Sequence, residues 1–427
     1  MEISGIITGV VTRFRNYKKS IMNVGYYFMA SFIPMLINLF LSPVYALNLS
    51  AEDFAIVGYF TSFTSLLSPL ILFELNQYYM REYFFKDDDG RKHLRATVFQ
   101  AFLVYPFIIM GLSLLGIYIY MRVFNTGTEM PFSPYAFLSL LPLALAGIYR
   151  LELIDCKVQR RGNDYFKINI TNSFLLILFT IVFVVILKWG AKGKLLGAML
   201  PALIMFIWSF SRHWDILKEK FDWSLFKQSF VFCAPLVIAA MLGFFTGGYD
   251  KVLLEKNVTL YQLGIYSVGL SIASYLNVFS NAIGETFNPD IYESIARNNK
   301  RRAIKYILIQ VGIMAAIVIV FVLLAKYAII ILTANRYVES TPFARIASIA
   351  AVTGLAYGAV TPFILSAKKT KVILYAKALG SFASVVTYLY LITNYGVYGA
   401  AWGFVICPLY NAFFALILYT ITNRIKK

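Results

Sequence analysis

Long apolar blocks alternate with short polar or charged stretches along the whole chain. Many of these blocks are long enough to cross the roughly 30 Å hydrocarbon layer of a membrane as a helix. The strands of a transmembrane β-barrel would instead alternate in polarity over short segments, so the pattern predicts an all-α polytopic membrane protein. Twelve spans are predicted, at residues 22–47, 54–80, 96–121, 132–153, 165–189, 194–214, 230–254, 260–287, 303–332, 341–366, 372–394 and 397–422.

The overall composition supports this class of protein. Of the 427 residues, 59% are hydrophobic and 14% are charged, and the mean hydropathy is +0.70. A soluble domain would have about a quarter of its residues charged. The longest predicted outer connection, residues 122–131, is short, so no extramembrane domain is predicted. Because the chain has neither a sizeable loop for catalytic residues nor a Walker-type phosphate-binding motif, it is predicted not to be an enzyme.

Lysine and arginine set the predicted orientation. Thirty of the 39 lie in segments that share one side of the membrane if the N-terminus is inside. Because inner loops carry an excess of these residues, both termini are predicted to be cytoplasmic. The net charge of +18 follows from the same asymmetry and does not require a nucleic-acid partner.

The chain is predicted to form two six-span halves, at residues 20–214 and 230–427, joined by a cytoplasmic linker at 215–229. Residues 49–59 resemble residues 258–268, and an even number of spans in each half gives a parallel repeat about the membrane normal. Paired halves with a binding site between them are typical of membrane transporters.

Residues 1–19 place apolar side chains on one helical face and four basic residues at the end, which predicts an interfacial amphipathic segment. A cleaved signal peptide is not expected, because the first apolar span is too long. The three cysteines and two histidines are scattered along the sequence. They suggest neither a disulfide framework nor a metal site, and no cofactor is predicted.

One face of the predicted span 260–287 is polar over most of its length. Its polar residues recur every three or four positions: Ser267, Ser271, Ser274, Asn277, Asn281, Glu285 and Asn288. Such side chains are unfavourable against lipid, so this polar stripe either lines a cavity or hydrogen-bonds to a neighbouring helix. A weaker polar face on the first span includes Asn38, and Glu74 lies on the second span at a depth similar to that of Glu285.

The adjacent acid and base Asp250 and Lys251 end a long apolar run. If the helix begins near residue 230, Asp250 lies about 30 Å further along, at the outer membrane interface. Adjacent helical residues point about 100° apart, so the two side chains cannot both face one partner. The pair therefore marks either an interfacial helix end or a charge at the outer mouth of a cavity.

Residues 248–293 carry a D-[KR] pair before a hydrophobic run, the motif G-x-Y-S at 264–267, and a proline-tyrosine segment at the end of the next span. In these features the chain resembles the polysaccharide-export flippases of the multidrug/oligosaccharidyl-lipid/polysaccharide superfamily. Residues 49–62, LSAEDFAIVGYFTS, resemble the same family, as do the chain length and the number of spans. The resemblance implies two six-helix halves arranged as in multidrug and toxin extrusion (MATE) transporters.

The resemblance also implies a function. O-antigen flippases of this family move undecaprenyl-pyrophosphate-linked oligosaccharides across the bacterial inner membrane. The implied partners are this lipid-linked substrate, the bilayer, and the polymerase and chain-length enzymes of polysaccharide biosynthesis. Transport is expected to run from the cytoplasmic to the outer face by alternating access with ion coupling. The alternative is a cation-coupled multidrug exporter of the same superfamily, which would favour acidic cavity residues, whereas this chain is basic.

A pyrophosphate that crosses a membrane needs positive and polar groups to replace its water. The candidates for binding it are the cations and amides within or near the spans: Asn38, Arg81, Arg150, Lys251, Asn277, Asn281, Arg345 and Lys377. The candidates for ion coupling by protonation are the acids Glu74, Asp250 and Glu285. Each charged candidate also has a structural interpretation, as a topology determinant, a helix end or a member of a salt bridge.

Overall fold

The computed structural model describes residues 26, 29–30, 32–123, 130–367 and 369–424. The predicted amphipathic segment at 1–19 lies outside these residues, and the side chain of Glu285 is also outside the description. The described residues form helices and connecting turns without a β-strand, which confirms the predicted all-α class.

The helices run in chain order with short connections. They are α1 (Phe32–Asn48), α2 (Ala51–Leu72), α3 (Leu75–Glu82), α4 (Asp88–Val123), α5 (Tyr135–Val158), α6 (Gly162–Thr180), α7 (Gly190–Arg212), α8 (Trp223–Gly247), α9 (Tyr249–Leu254), α10 (Leu260–Ala273), α11 (Leu276–Ala296), α12 (Lys300–Leu332), α13 (Thr341–Ser348), α14 (Ala350–Ser366) and α15 (Thr370–Arg424). A π-helical turn, Ile181–Ile186, extends α6.

Ten helical stretches of the described chain are long and apolar enough to cross a membrane. The last of them, within α15, holds 52 residues, which is about 78 Å of helix and too long for one crossing. The chain folds back at Gly396, whose φ of 55° and ψ of −128° interrupt the helix, and the ring of Tyr388 then packs against Gly403. Two crossings in α15, together with the shorter apolar helix α1, agree with the twelve predicted spans in order.

The structure corrects several predicted boundaries. The span predicted at 54–80 is broken at Phe73 and Glu74, whose φ values of 50° and 49° are left-handed. The span predicted at 260–287 remains one apolar stretch, but it continues to Ile295 and has a turn at Ser274 and Tyr275 between α10 and α11. The helix α8 already begins at Trp223, within the predicted linker. Hydropathy reports the length of an apolar run, but it is insensitive to a turn inside the run or to a helix that continues past the membrane.

The helices α2 and α10 begin in the same way. Ser50 and Asp53 form a reciprocal capping box at the start of α2. Thr259 and Gln262 form the same box at the start of α10. These are corresponding positions in the two similar stretches of sequence, which supports the predicted repeat; the division into halves remains a prediction.

At the ends where they begin, α2 and α10 pack face to face. This is the predicted outer end of the bundle. A Cβ on Gly264 would collide with the carbonyl oxygen of Ala51, and a Cβ on Gly58 would lie 2.5 Å from the hydroxyl of Ser267. Because glycine has no Cβ, the two backbones can approach this closely.

The segment that follows α12 closes the same end of the bundle. The guanidinium of Arg336 donates hydrogen bonds to the carbonyl oxygens of Ala46 and Leu47, at 2.9 and 2.6 Å. The hydroxyl of Tyr337 donates to the carbonyl oxygen of Leu49 at 2.5 Å. We call these contacts the outer latch, because they join the end of α1 to the segment after α12.

Candidate functional site

Exposed polar side chains on α2 and on the α10–α11 pair indicate a polar cleft between these helices. The two walls touch at Gly58 and Ser267, and on a helix the residues three, four and seven positions further along continue the same face. On α2 these include Thr61 and Ser65, which are exposed. On α10 and α11 the exposed polar residues are Ser271, Ser274, Asn277, Asn281 and Asn288. The two faces that meet at the outer end are therefore polar and exposed beyond their contact, as expected if the helices separate toward the inner end.

Exposure along α11 bears on the two interpretations of the polar stripe. Asn277 and Asn281 are exposed. On the other side of the pair, Ile272 and Leu276 are buried, with 1% and 4% of their surfaces exposed. A stripe that served only to hydrogen-bond a neighbouring helix would be covered by that helix. The exposed asparagines therefore favour a polar cavity.

The helix α1 borders the cleft near the junction of α10 and α11. The hydroxyl of Tyr275 donates a 3.1 Å hydrogen bond to the backbone carbonyl of Asn38. The amide of Asn38 donates at 2.9 Å to the carbonyl of Pro34, one turn earlier on its own helix. Asn38 thus lies beside the cleft, with its amide nitrogen bonded to α1 itself.

Two lysines lie where the cleft closes. Lys251, on α9, extends toward Gly58, and its Cδ lies 3.7 Å from the position that a Gly58 Cβ would take. Lys194, on α7, places its ammonium 4.4 and 4.9 Å from the ring centres of Tyr45 and Phe54. The two ammonium groups are near enough to interact electrostatically. Two cations at one end of a polar cleft suit an anion with two phosphate groups.

Asp250 points away from its neighbour, as expected for adjacent helical residues. Its side chain is fully buried and accepts a 2.5 Å hydrogen bond from the hydroxyl of Tyr266. Within the described residues, its Oδ1 atom has no hydrogen-bond partner. Asp250 is thus a buried carboxyl group and not an exposed helix end, and ionisable groups of this kind inside membranes commonly serve transport.

Glu74 and Arg150 lie close enough to attract each other. Glu74 stands at the break between α2 and α3, in the left-handed conformation, and its carbonyl accepts a bond from the thiol of Cys233 at 3.5 Å. This arrangement favours a structural role for the pair, in which Arg150 offsets the charge of Glu74 beside the helix break.

The other three predicted cations lie on separate helices. Arg81 is exposed on α3. Arg345, on α13, donates from its Nε to the carbonyl of Val322 at 3.1 Å. Lys377, on α15, donates to the carbonyl of Ala239 at 3.1 Å. The structure therefore does not gather all the predicted cations into one cluster.

Sequence reasoning missed Lys194, Thr61 and Ser65. Lys194 is the first residue of a predicted span on the outer side, where lysine is an exception to the inner bias of basic residues. The unusual outer position of Lys194 is therefore the feature of the sequence that could have identified it. Thr61 and Ser65 are four residues apart on one helical face, but two hydroxyls in an apolar helix are too common to identify a site.

An inner ion network, also missed, joins the predicted cytoplasmic ends of several helices of the first half. Its acids, Glu152 and Asp155 on α5, are buried. Arg95 on α4 lies 2.9 and 3.1 Å from the two carboxylates, and His213 lies 2.7 Å from Glu152. The hydroxyl of Tyr79 on α3 donates to Asp155 at 2.7 Å. Because these groups bind one another, the network fits a structural role better than substrate binding.

The fold and the cleft define a multi-pass membrane protein with the architecture of known lipid and drug transporters. The lipid II flippase MurJ in an inward closed conformation has a TM-score of 0.69 and 12% identity, over 93% of this chain and 87% of that chain. An inward-facing MATE multidrug resistance transporter has a TM-score of 0.71 and 14% identity, over 95% and 99% of the two chains. An outward-facing MATE structure scores 0.54 at 15% identity, over 93% and 94%.

The chain belongs to the polysaccharide biosynthesis protein family, whose model matches residues 20–291. This confirms the relationship to polysaccharide-export proteins that the sequence predicted. The matched region includes both walls of the polar cleft and both lysines at its closed end. A comparison with curated protein sequences gave no match.

Proposed function

We propose that this protein is a flippase for lipid-linked oligosaccharides. Its cargo would be the undecaprenyl-pyrophosphate-linked repeat unit of O-antigen or another surface polysaccharide, moved from the cytoplasmic to the outer face of the bacterial inner membrane. One observation carries the proposal: the polar cleft ends at Lys194 and Lys251. The hydroxyl and amide side chains suit a saccharide, the two cations suit a pyrophosphate, and the polyprenyl tail can remain in the lipid.

The direction of loading follows from the predicted topology. The lysine and arginine distribution puts the inner ends of α2 and α11 at the cytoplasm, and the exposed polar residues of both walls lie on that side of the contact between Gly58 and Ser267. A head group made inside the cell would therefore enter from that side. Alternating access then requires the outer latch at Arg336 and Tyr337 to break while the inner ends approach each other.

We assign ion coupling to proton uptake at Asp250. Asp250 is fully buried and its Oδ1 atom has no hydrogen-bond partner among the described residues, and intramembrane carboxyl groups of this kind commonly belong to proton relays. Lys251 is near enough to feel the charge of Asp250. Asp250→Asn, which cannot take up a proton, should keep pyrophosphate binding but uncouple export from the proton gradient.

A multidrug exporter would need a cleft of the opposite charge. A cationic drug would need an acid that faces it, whereas the closed end holds Lys194 and Lys251, and Asp250 is turned toward Tyr266. This distribution favours an anionic cargo. The other predicted binding residues remain candidates for contacts elsewhere along the path, and Glu285 remains a candidate for coupling.

The test is lipid binding by the purified full chain. Undecaprenyl pyrophosphate should raise its thermal stability, and uncharged undecaprenol should do so much less. Lys194→Ala and Lys251→Ala should each weaken binding about tenfold or more, because a charge contact in a low-dielectric site is worth a few kcal/mol. Lys251→Arg should retain most of the binding and Lys251→Glu should abolish it.

Lys192→Ala is the matched control. Lys192 lies on the same helix as Lys194 but is exposed, with its ammonium 5.3 Å from the ring centre of Trp189. Equal binding by the wild type and both cleft variants would refute the anion site. Stabilisation by tetraphenylphosphonium without stabilisation by the pyrophosphate lipid would favour the drug exporter.

A further inference from the structure

A groove separate from the cleft lies between α6 and α7. It has a volume of about 230 Å³ and lies toward the ends of these helices that are predicted to face the cytoplasm. Both helices contribute side chains: Lys167, Ile168 and Thr171 from α6, and Ile204, Trp208 and Arg212 from α7.

The groove changes from apolar to positively charged along its length. Because α7 ends at Arg212, Ile204 lies eight residues, or about 12 Å, deeper in the membrane. Trp208 lies between them, and tryptophan is enriched at the membrane–water interface. On α6, which begins at the inner end, Lys167 is nearer the surface and Thr171 lies deeper. A phospholipid has the same profile, with a phosphate at the surface and acyl chains below.

The inner rim of the groove has excess positive charge. Lys167 and Arg212 are exposed, and the Arg212 guanidinium lies 5.5 Å from the ring centre of Trp208. The acid at this rim, Asp164, is engaged by Arg161 in a salt bridge of 3.1 Å. Arg161 also pairs with Glu152 and Asp155, so it offsets only part of the charge of Asp164. The two basic side chains nevertheless outnumber the one acid at this rim, which leaves positive charge to attract an anion.

We propose that this groove binds one anionic phospholipid of the cytoplasmic leaflet, with its phosphate between Lys167 and Arg212 and an acyl chain along Ile168 and Ile204. Basic pockets between transmembrane helices on the cytoplasmic side are suited to anionic head groups. A free phosphate would use only the charged end and leave the apolar part unfilled. The groove is built from α6 and α7, whereas the cleft lies between α2 and the α10–α11 pair, so the bound lipid is distinct from the cargo.

The test is native mass spectrometry of the purified full chain, equilibrated with mixed vesicles of phosphatidylglycerol and phosphatidylethanolamine that carry the same acyl chains. The wild type should retain phosphatidylglycerol preferentially. The double variant Lys167→Gln/Arg212→Gln should lose this retention about tenfold or more. The double variant Lys220→Gln/Lys227→Gln removes the same charge from exposed residues outside the groove and should behave as the wild type.

Ile204→Trp is a second test, because it fills the apolar part of the groove without changing the charge. It should also reduce phosphatidylglycerol retention, and excess inorganic phosphate should not displace the lipid from the wild type. Unchanged retention by the groove double variant, or equal retention of the two lipids by the wild type, would overturn the proposal. Displacement by inorganic phosphate would overturn it as well, in favour of a simple phosphate site.

Discussion

Gly264 of α10 packs directly against the backbone carbonyl of Ala51 on α2. A side chain at this position would meet backbone, which cannot rotate aside. Gly264→Val should therefore separate the outer ends of the two helices and reduce export about tenfold or more, a barrier change of about 1.4 kcal/mol or more. The separation should appear as a longer distance between spin labels at Glu52 and Asn257.

The matched control for this prediction is Gly243→Val on α8, where nothing beyond the adjacent residues and the backbone of the same helix lies within 4 Å of the position of the new Cβ. This variant should leave both the label distance and export unchanged. An unchanged label distance in Gly264→Val would show that the contact with Ala51 does not hold the outer end closed.

The hydrogen bonds of the outer latch lead to a second prediction about the outer end of the bundle. Arg336→Ala removes both hydrogen bonds to the end of α1, and hydrogen bonds from charged donors are worth about 1.5–3 kcal/mol each. Labelling of a Leu49→Cys probe from outside should increase, because Leu49 is buried beside the latch. Arg336→Lys should have an intermediate effect, since an ammonium does not reproduce the planar donor geometry of a guanidinium. Identical labelling in all three backgrounds would contradict a latching role.

The sequence could predict the spans because a helix in lipid satisfies its own backbone and must expose apolar side chains. It could also reveal helix starts, since Ser50 with Asp53 and Thr259 with Gln262 cap their helices through contacts only three residues apart. Both kinds of information are local. The resemblance of residues 49–59 to residues 258–268 could therefore be predicted from the sequence, whereas the two caps were first identified in the structure.

The candidate site was less predictable because its contacts are not local. Lys194 approaches Lys251 only through the packing of α7 and α9 against α2, which no short motif records. The direction of Asp250 depends on the break at Gly248 that starts α9, and hydropathy does not detect that break. The inner ion network was missed for the same reason, since the partners of Asp155 come from several different helices.

The predicted topology can be tested with two exposed positions. An impermeant thiol reagent added outside intact cells should label Asn257→Cys and not Asp89→Cys, because the first lies in a predicted outer connection and the second in a predicted inner loop. Disruption of the membrane should make both reactive. The three native cysteines are buried, so their background labelling should be low. Labelling of the inner position alone would reverse the assigned orientation.

The inner ion network predicts a specific loss of stability. Asp155→Asn removes one buried charge while Arg95 and Arg161 keep theirs, and breaking a buried ion pair in this way typically costs about 3–5 kcal/mol. The midpoint of thermal unfolding should fall clearly, while pyrophosphate-lipid binding at low temperature should survive. Asp88→Asn, in an exposed pair with Arg91, should leave the midpoint unchanged. Equal midpoints for the two variants would show that the network is not stabilising.

The polar stripe predicts a pattern of water access along α11. Single cysteines at Asn277 and Asn281 should react with a small polar thiol reagent, because both positions are exposed on the face that continues from Ser267 into the cleft. Cysteines at Ile272 and Leu276 should react much more slowly, since both are buried on the other side. Undecaprenyl pyrophosphate should slow the reaction at the asparagine positions only. Equal reactivity at all four positions, or no reaction at either asparagine, would show that the stripe does not line a cavity.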